Sequence, residues 1–369
     1  ALTRPILKPA GKSHTSHHEG DGLDDDCRRK RTGYLSVKKF HNTIASLEVH
    51  TFVKWIVLAS LVGVVAGLGA IAFDIIGQGV TRYTLGQFAG YTPSEALGEH
   101  ARFDHPAGSF SPWMVVVVMT LGGLVSGVIV YCFASEAEGH GTDAAIDAFH
   151  NRNGKIRARI PFVKTIASAI TLGTCGSGGR EGPIAQIGAG FGSWLGTKLN
   201  LSHHERRVML AAGMGAGIGA IFRAPLAGAV FAGEILYSDA DLETDVILPS
   251  AAASVIAYSV YTQSLPADTR FIPLFGDHLE HTFTSPVELI PYACLAVVLT
   301  LVGILYVKLF YQTHDLFHRL PVLAHLRPAI GAAVAGLIAI ALLQCFDGNR
   351  DVLGVLGTGY GTLQLAVTG

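Results

Sequence analysis

From residue 52 onward the chain alternates long apolar runs with short polar breaks. The runs fall at 52–77, 113–134, 162–173, 183–198, 207–237, 244–262, 288–311 and 328–345. A straight helix needs about 20 apolar residues to cross a bilayer. Several of these runs are shorter, or are interrupted by Gly and Pro. Broken membrane helices are tolerated only where the freed backbone is buried in protein or lines a cavity. The pattern therefore predicts an all-α integral membrane protein of the transporter kind rather than a simple anchor. Small residues recur four apart: Gly63 and Gly67, Gly123 and Gly127, Gly188 with Gly192 and Gly196, Gly213 and Gly217. On a helix each set lines one face and permits close backbone approach. Gly215–Ala220 also fits a loose G-x-G-x-x-A fingerprint, but no strand precedes it, so dinucleotide binding is set aside.

Composition agrees with the pattern. Half of the residues are hydrophobic and only 15% are charged, against about 25% in soluble domains. Mean hydropathy is +0.41. A formal charge of −1 gives no footprint for nucleic acid. The five cysteines, Cys27, Cys132, Cys175, Cys294 and Cys345, lack metal or redox spacing and read as packing residues. The first fifty residues are polar and carry no signal-peptide core. Their "SHTSHHEGDGLDDD" has metal-binding residue types, but its composition is that of a disordered, solvated tail. Arg28, Arg29, Lys30, Arg31, Lys38 and Lys39 precede the first span, and Arg152, Lys155, Arg157, Arg159 and Lys164 sit in "HNRNGKIRARIPFVK". The 84–111 loop is poor in basic residues. The positive-inside rule then puts the tail and the 150–164 loop in the cytoplasm and the 84–111 loop outside.

An internal echo adds architecture. "GGLVSGVIVYCF", a polar patch and "GHGT" (139–142) are matched by "VAGLIAIALLQCF", a polar patch and "GYGT" (359–362). The runs starting near Trp55 and Tyr292 match in the same order. Offsets of about 210–240 residues suggest two homologous halves. The expected division is a polar tail over 1–50, a first membrane repeat over 51–265 and the beginning of a second over 266–369. The counterpart of "GGREGP" in that second copy is expected beyond Gly369.

The chemistry concentrates in "CGSGGREGPIAQIG", residues 175–188. Gly178, Gly179 and Gly182 leave backbone N–H groups unshielded, and Pro183 suits the first turn of a helix. A helix start carries roughly half a positive charge and free donors, which makes an anion site without a cation. Glu181 stands at that start. It either complements the helix dipole or competes with a transported anion, plugging the site when ionised and leaving when protonated. "GHGT" has similar geometry: its glycines lead into "DAAIDAFH", a short helix that Thr142 or Asp143 would cap. His140 is either a satisfied turn residue or an anion ligand. Two glycine-led helix starts fit one anion held between opposed N-termini.

"GGREGPIAQIGAGFGS" and "AAGMGAGIGAIFRAPLAGAVFAGE" strongly resemble the CLC family of chloride channels and proton-coupled chloride exchangers, and "GHGT" takes the place of that family's G-S-G-I-P. The resemblance covers about residues 50–369. It implies an α-helical membrane fold of two inverted repeats, incomplete here, and a homodimer with an anion path in each subunit. Glu181 matches the gating glutamate. Gly139, His140 and Gly141 match a loop that ligates the anion, and Arg180, Gly182 and Pro183 match the helix start that points at it. No cofactor or metal is implied beyond the transported anion and the surrounding lipid.

The sequence departs from the family pattern at several points. His140 replaces a serine, Thr142–Asp143 replace Ile-Pro, and Arg223 stands where Asn is common. Ile235 replaces the second of two glutamates, so Glu234 is the candidate for an inner proton path. The G-x-F-x-P loop and the pore tyrosine are expected after Gly369. The expected function is passive, voltage- or pH-gated anion conductance; a proton-coupled antiporter is the alternative. Among other classes, a membrane-embedded enzyme has only "SHHERR" (202–207) to recommend it, and a scaffold would leave Glu181 without a purpose.

Overall fold

A computed structural model describes residues 22–103, 108–236, 244–275 and 285–368, with side chains from Phe52 onward except that of Thr244. The chain divides into units Ala1–Lys54 and Trp55–Gly369. All regular structure among the described residues is helical. Helix α1 (Gly22–Thr81) begins inside the segment expected to be an unstructured tail. Residues 1–21, with most of the His/Asp cluster, and the Cys27 side chain lie outside the description. α1 passes into a π-helix, Arg82–Ala89, where a loop was expected from residue 84; Gly90, at φ 59°, ends it.

There follow α2 (Pro112–Phe133), α3 (Thr142–His150), α4 (Arg159–Gly173), α5 (Glu181–Lys198) and α6 (His203–Ile221). After them come α7 (Pro225–Glu234), α8 (Thr244–Thr262), α9 (Leu289–Arg319), α10 (Arg327–Cys345) and α11 (Tyr360–Thr368). Among the described residues, five stretches are long and apolar enough to cross a membrane: Phe52–Ala89, Pro112–Phe133, Asp245–Thr262, Pro286–Arg319 and Ala324–Cys345. α3 and α7, of nine and ten residues, reach only about 15 Å. Each is too short to span a bilayer.

The apolar run at 207–237 is not one helix. It breaks between α6 and α7, where Arg223 adopts φ 54°. Ala224 is non-helical and Pro225 opens α7. A residue before proline is pushed out of the α region, and proline itself fits a helix start. "SHHERR" forms a capping box: Ser202 Oγ accepts the Glu205 N–H, and Glu205 accepts the Ser202 N–H at 2.9 Å. This explains its Ser and Glu as helix punctuation. Of the described cysteines, Cys175 is buried, whereas Cys132, Cys294 and Cys345 are exposed, so packing accounts for only the first.

α5 and α6 form the centre of the core, each buried over most of its length. The small-residue stripes cause this closeness. Gly188 and Gly192 of α5 face the Gly213 and Met209 backbones of α6. Gly63 and Gly67 of α1 face Ala253 and Ala257 of α8, and Gly123 and Gly127 of α2 face Pro328 and His325 near the start of α10. α9 differs from these helices in having no buried residue along its apolar length.

Candidate functional site

The glycine-rich loop before α5 does what its sequence suggests. Arg180 is the N-cap, and Glu181, Gly182 and Pro183 form the first turn of α5. Thus Glu181 stands on the free N–H end of a helix whose next residues are buried.

"GHGT" meets this turn from one side. Gly139 and Gly141 adopt φ 76° and 113°, conformations that favour glycine. A Cβ on Gly141 would lie 2.6 Å from the Gly182 carbonyl oxygen, and one on Gly182 would strike the His140 carbonyl. Both glycines are therefore required for the two helix starts to touch. The expected cap is absent: Gly141 precedes α3 and no side chain caps it. Thr142 Oγ1 instead lies 2.8 Å from His140 Nδ1, so that ring nitrogen is engaged within its own loop. His140 remains exposed.

Two further residues hold this loop. Lys164, which the sequence placed in a cytoplasmic loop, is buried inside α4. Its ammonium donates to the Ala137 and Gly139 carbonyls at 3.0 and 2.6 Å. A lysine beside an arginine-rich run reads as a loop residue, and only packing reveals its inward role. Gln186, one turn along α5, donates from Nε2 to the Glu136 carbonyl at 3.1 Å, while its buried Oε1 has no partner among the described residues.

The second copy of the motif meets α5 from another direction. Gly178 N–H donates to the Gly357 carbonyl at 3.1 Å, and Ser177 Oγ donates to that of Val355 at 2.7 Å. Gly359, like Gly139, has positive φ, 72°. The helix then begins earlier than in the first copy: Tyr360 opens α11, whereas α3 opens two motif positions later, at Thr142. Tyr360 Oη donates to Glu181 Oε1 at 3.0 Å. The Arg180 guanidinium lies 5.4 Å from the Tyr360 ring centroid and pairs with Glu99. Phe222 and Phe275 pack edge-on against the same ring.

The structure thus gathers Gly139, His140, Gly141, Arg180, Glu181, Gly182 and Pro183 at one locus. Glu234 is set apart, exposed at the end of α7, while Ile235 packs against the main core. Tyr360, Glu99 and Lys164 were missed. The repeat was a usable signal for Tyr360, because it occupies the place of His140. Glu99 has no local motif. Arg223, noted only as a departure, donates to the Thr269 and Ile272 carbonyls at 3.1 and 2.7 Å and also to that of Gly98. It fastens the segment carrying Glu99.

Fold and site together define a multi-pass α-helical integral membrane protein in which short, glycine-led helix starts converge on a carboxylate. The family model for the voltage gated chloride channel matches residues 122–369, and the chain belongs to this CLC family. It is 33% identical over 199 residues to the chloride channel protein CLC-e of Arabidopsis thaliana, covering 53% of this chain and 27% of that one. It is 25% identical over 289 residues to a chloride/fluoride channel protein of Pseudomonas syringae pv. tomato, covering 78% and 56%. The chain therefore spans only part of these relatives' length. A crystal structure of a slow cyanobacterial Cl−/H+ antiporter shares the fold at TM-score 0.63 and 19% identity, over 83% of this chain and 74% of that one.

Proposed function

We propose that the protein conducts chloride or a similar small anion passively across the membrane, with Glu181 as its gate. One observation carries this reading: an ionisable carboxylate occupies the first position of α5, where free N–H groups and the helix dipole would receive an anion. Ionised, Glu181 fills the site; protonated, it yields it. Gly139, His140 and Gly141 line one side, and Arg180, Gly182 and Pro183 form the helix start. The basic residues before the first span, with exposed Arg152, Lys155, Arg157 and Arg159, support a cytoplasmic N-terminus. The family resemblance supports a homodimer.

Passive conductance rests on Ile235, which cannot titrate, and on the position of Glu234 at the end of α7. Proton-coupled antiport is the second reading, favoured by the antiporter that shares this fold. Chloride-driven proton uptake into liposomes carrying the full-length protein separates the two. No uptake is expected. Stoichiometric uphill proton movement would overturn passive conductance and point to Glu234 as the inner relay.

His140 would tune anion preference. His140→Ser exchanges a ring for a hydroxyl, and a neutral hydrogen bond of about 1 kcal/mol corresponds to roughly five-fold in relative chloride and nitrate permeation. Unchanged competition between the two anions would mean that the ring faces elsewhere.

A further inference from the structure

The tyrosine of the second motif copy and the connector between α1 and α2 converge on the proposed gate from outside the family-like motif. We propose that Tyr360 is a second gating residue that holds the ionised Glu181 carboxylate, and that Glu99 is a positioning residue that sets the strength of this hold through Arg180. This rests on the reading of Glu181 as the gate.

The chain of contacts is continuous. Tyr360 donates to Glu181 Oε1 at 3.0 Å. Arg180 lies over the Tyr360 ring, and Glu99 pairs with Arg180. Glu99 is fixed in turn. Its second oxygen accepts the Ala96 N–H at 3.1 Å. The neighbouring Gly98 N–H donates to the Leu274 carbonyl at 2.9 Å, and Arg223 donates to the Gly98 carbonyl. Leu97 N–H reaches Gln364 on α11, one turn after Tyr360. The connector, the α5 start and the α11 start are thus locked to one another around one carboxylate.

The charges around these groups fix the direction of each effect. Glu181 is faced by Tyr360 of α11, whose ring lies under Arg180, and the His140 loop abuts the adjoining Gly182. Arg180 is faced by Glu99, Asp74 of α1, Tyr261 of α8 and Tyr360. Asp74 already pairs with Arg102 at 2.7 Å, so Glu99 is the carboxylate committed to Arg180. A hydroxyl donor favours the ionised form of the carboxylate it serves. Without it, Glu181 takes a proton more readily and the site opens at higher pH. Removing the Glu99 charge does the reverse: Arg180 over the Tyr360 ring loses its counter-charge and makes the Tyr360 hydroxyl a stronger donor to Glu181, so opening needs lower pH.

The test is chloride efflux against pH from liposomes carrying full-length wild type, Tyr360→Phe, Glu99→Gln, Glu181→Gln and the Tyr360→Phe/Glu181→Gln double variant. Tyr360→Phe keeps the ring and its packing. Its midpoint is expected to rise by about one pH unit, a tenfold change in proton affinity. Glu99→Gln should lower the midpoint by a smaller amount. In the Glu181→Gln background, Tyr360→Phe should leave the profile flat. A merely structural role would change the amplitude of flux and leave the midpoint in place. A flat Glu181→Gln profile with an unmoved Tyr360→Phe midpoint would overturn the Tyr360 hold alone. Shifts of the same sign in Tyr360→Phe and Glu99→Gln would overturn the role of Glu99. A Glu181→Gln profile that still titrates would overturn the gate and, with it, this proposal.

Discussion

Replacing Glu181 with Gln is expected to release chloride flux at neutral pH and to remove most of its pH dependence. Two contacts place the carboxylate where it can compete with an anion. It sits on the N–H end of α5, and it accepts the Tyr360 hydroxyl at 3.0 Å. A hydrogen bond to a charged group contributes about 2 kcal/mol, or roughly thirty-fold in an equilibrium constant. Gln can still accept from Tyr360, but a neutral acceptor is held about half as strongly and carries no charge to compete with the anion. Wild-type flux should therefore rise as pH falls, whereas the variant should stay near the acid-limit rate throughout. The comparison is initial chloride efflux at matched protein density over a pH series. A variant that follows the wild-type profile would show that another group gates the path.

The largest structural effect is expected from a single methyl group at Gly188. Its Cβ would run into the Gly213 carbonyl of α6, with the Gly213 carbonyl carbon at 2.8 Å and the Met214 nitrogen at 3.4 Å. These are backbone atoms of a buried helix, so no rotamer change relieves the overlap; α5 and α6 must separate. Overpacking of this kind costs about 1–3 kcal/mol, occasionally more, and it falls on the helix that presents Glu181. Gly77→Ala is the matched control, because a Cβ there meets nothing within 4 Å among the described residues. In that helix Ala is favoured over Gly by up to about 1 kcal/mol. Thermal unfolding of the detergent-solubilised proteins should show a large loss for Gly188→Ala and a neutral or slightly stabilising effect for Gly77→Ala. Equal shifts would mean that the α5–α6 contact is not as close as described.

The parts of the protein that the sequence made legible are those whose physics is local. Apolar run length and Gly/Pro interruption marked the membrane helices. The i, i+4 glycines marked the faces on which α5 meets α6 and α1 meets α8. "GGREGP" marked a helix start with a carboxylate on it, because glycine, proline and an ionisable residue in an apolar setting each have a narrow set of uses. Where the reading failed, a local signal was overridden or passed over. Pro225 already pointed to the break inside 207–237. Lys164 took its expected place from charged neighbours in sequence, although its ammonium serves carbonyls 25 and 27 residues away.

Tertiary structure alone decided what surrounds Glu181. Tyr360 lies 179 residues further along the chain, and Glu99 reaches Arg180 from a connector with no motif of its own. A repeat in the sequence identified "GYGT" as the counterpart of "GHGT" but not the partner each would touch. The two loops part company because α11 begins at Tyr360 while α3 waits until Thr142, which turns one copy's tyrosine onto the carboxylate and ties the other copy's histidine to its own loop. Side-chain periodicity and turn chemistry act over a few residues, and so they determined that a helix would start at Glu181. Which hydroxyl and which counter-charge meet that start depends on how distant helices pack, a choice made by the whole fold.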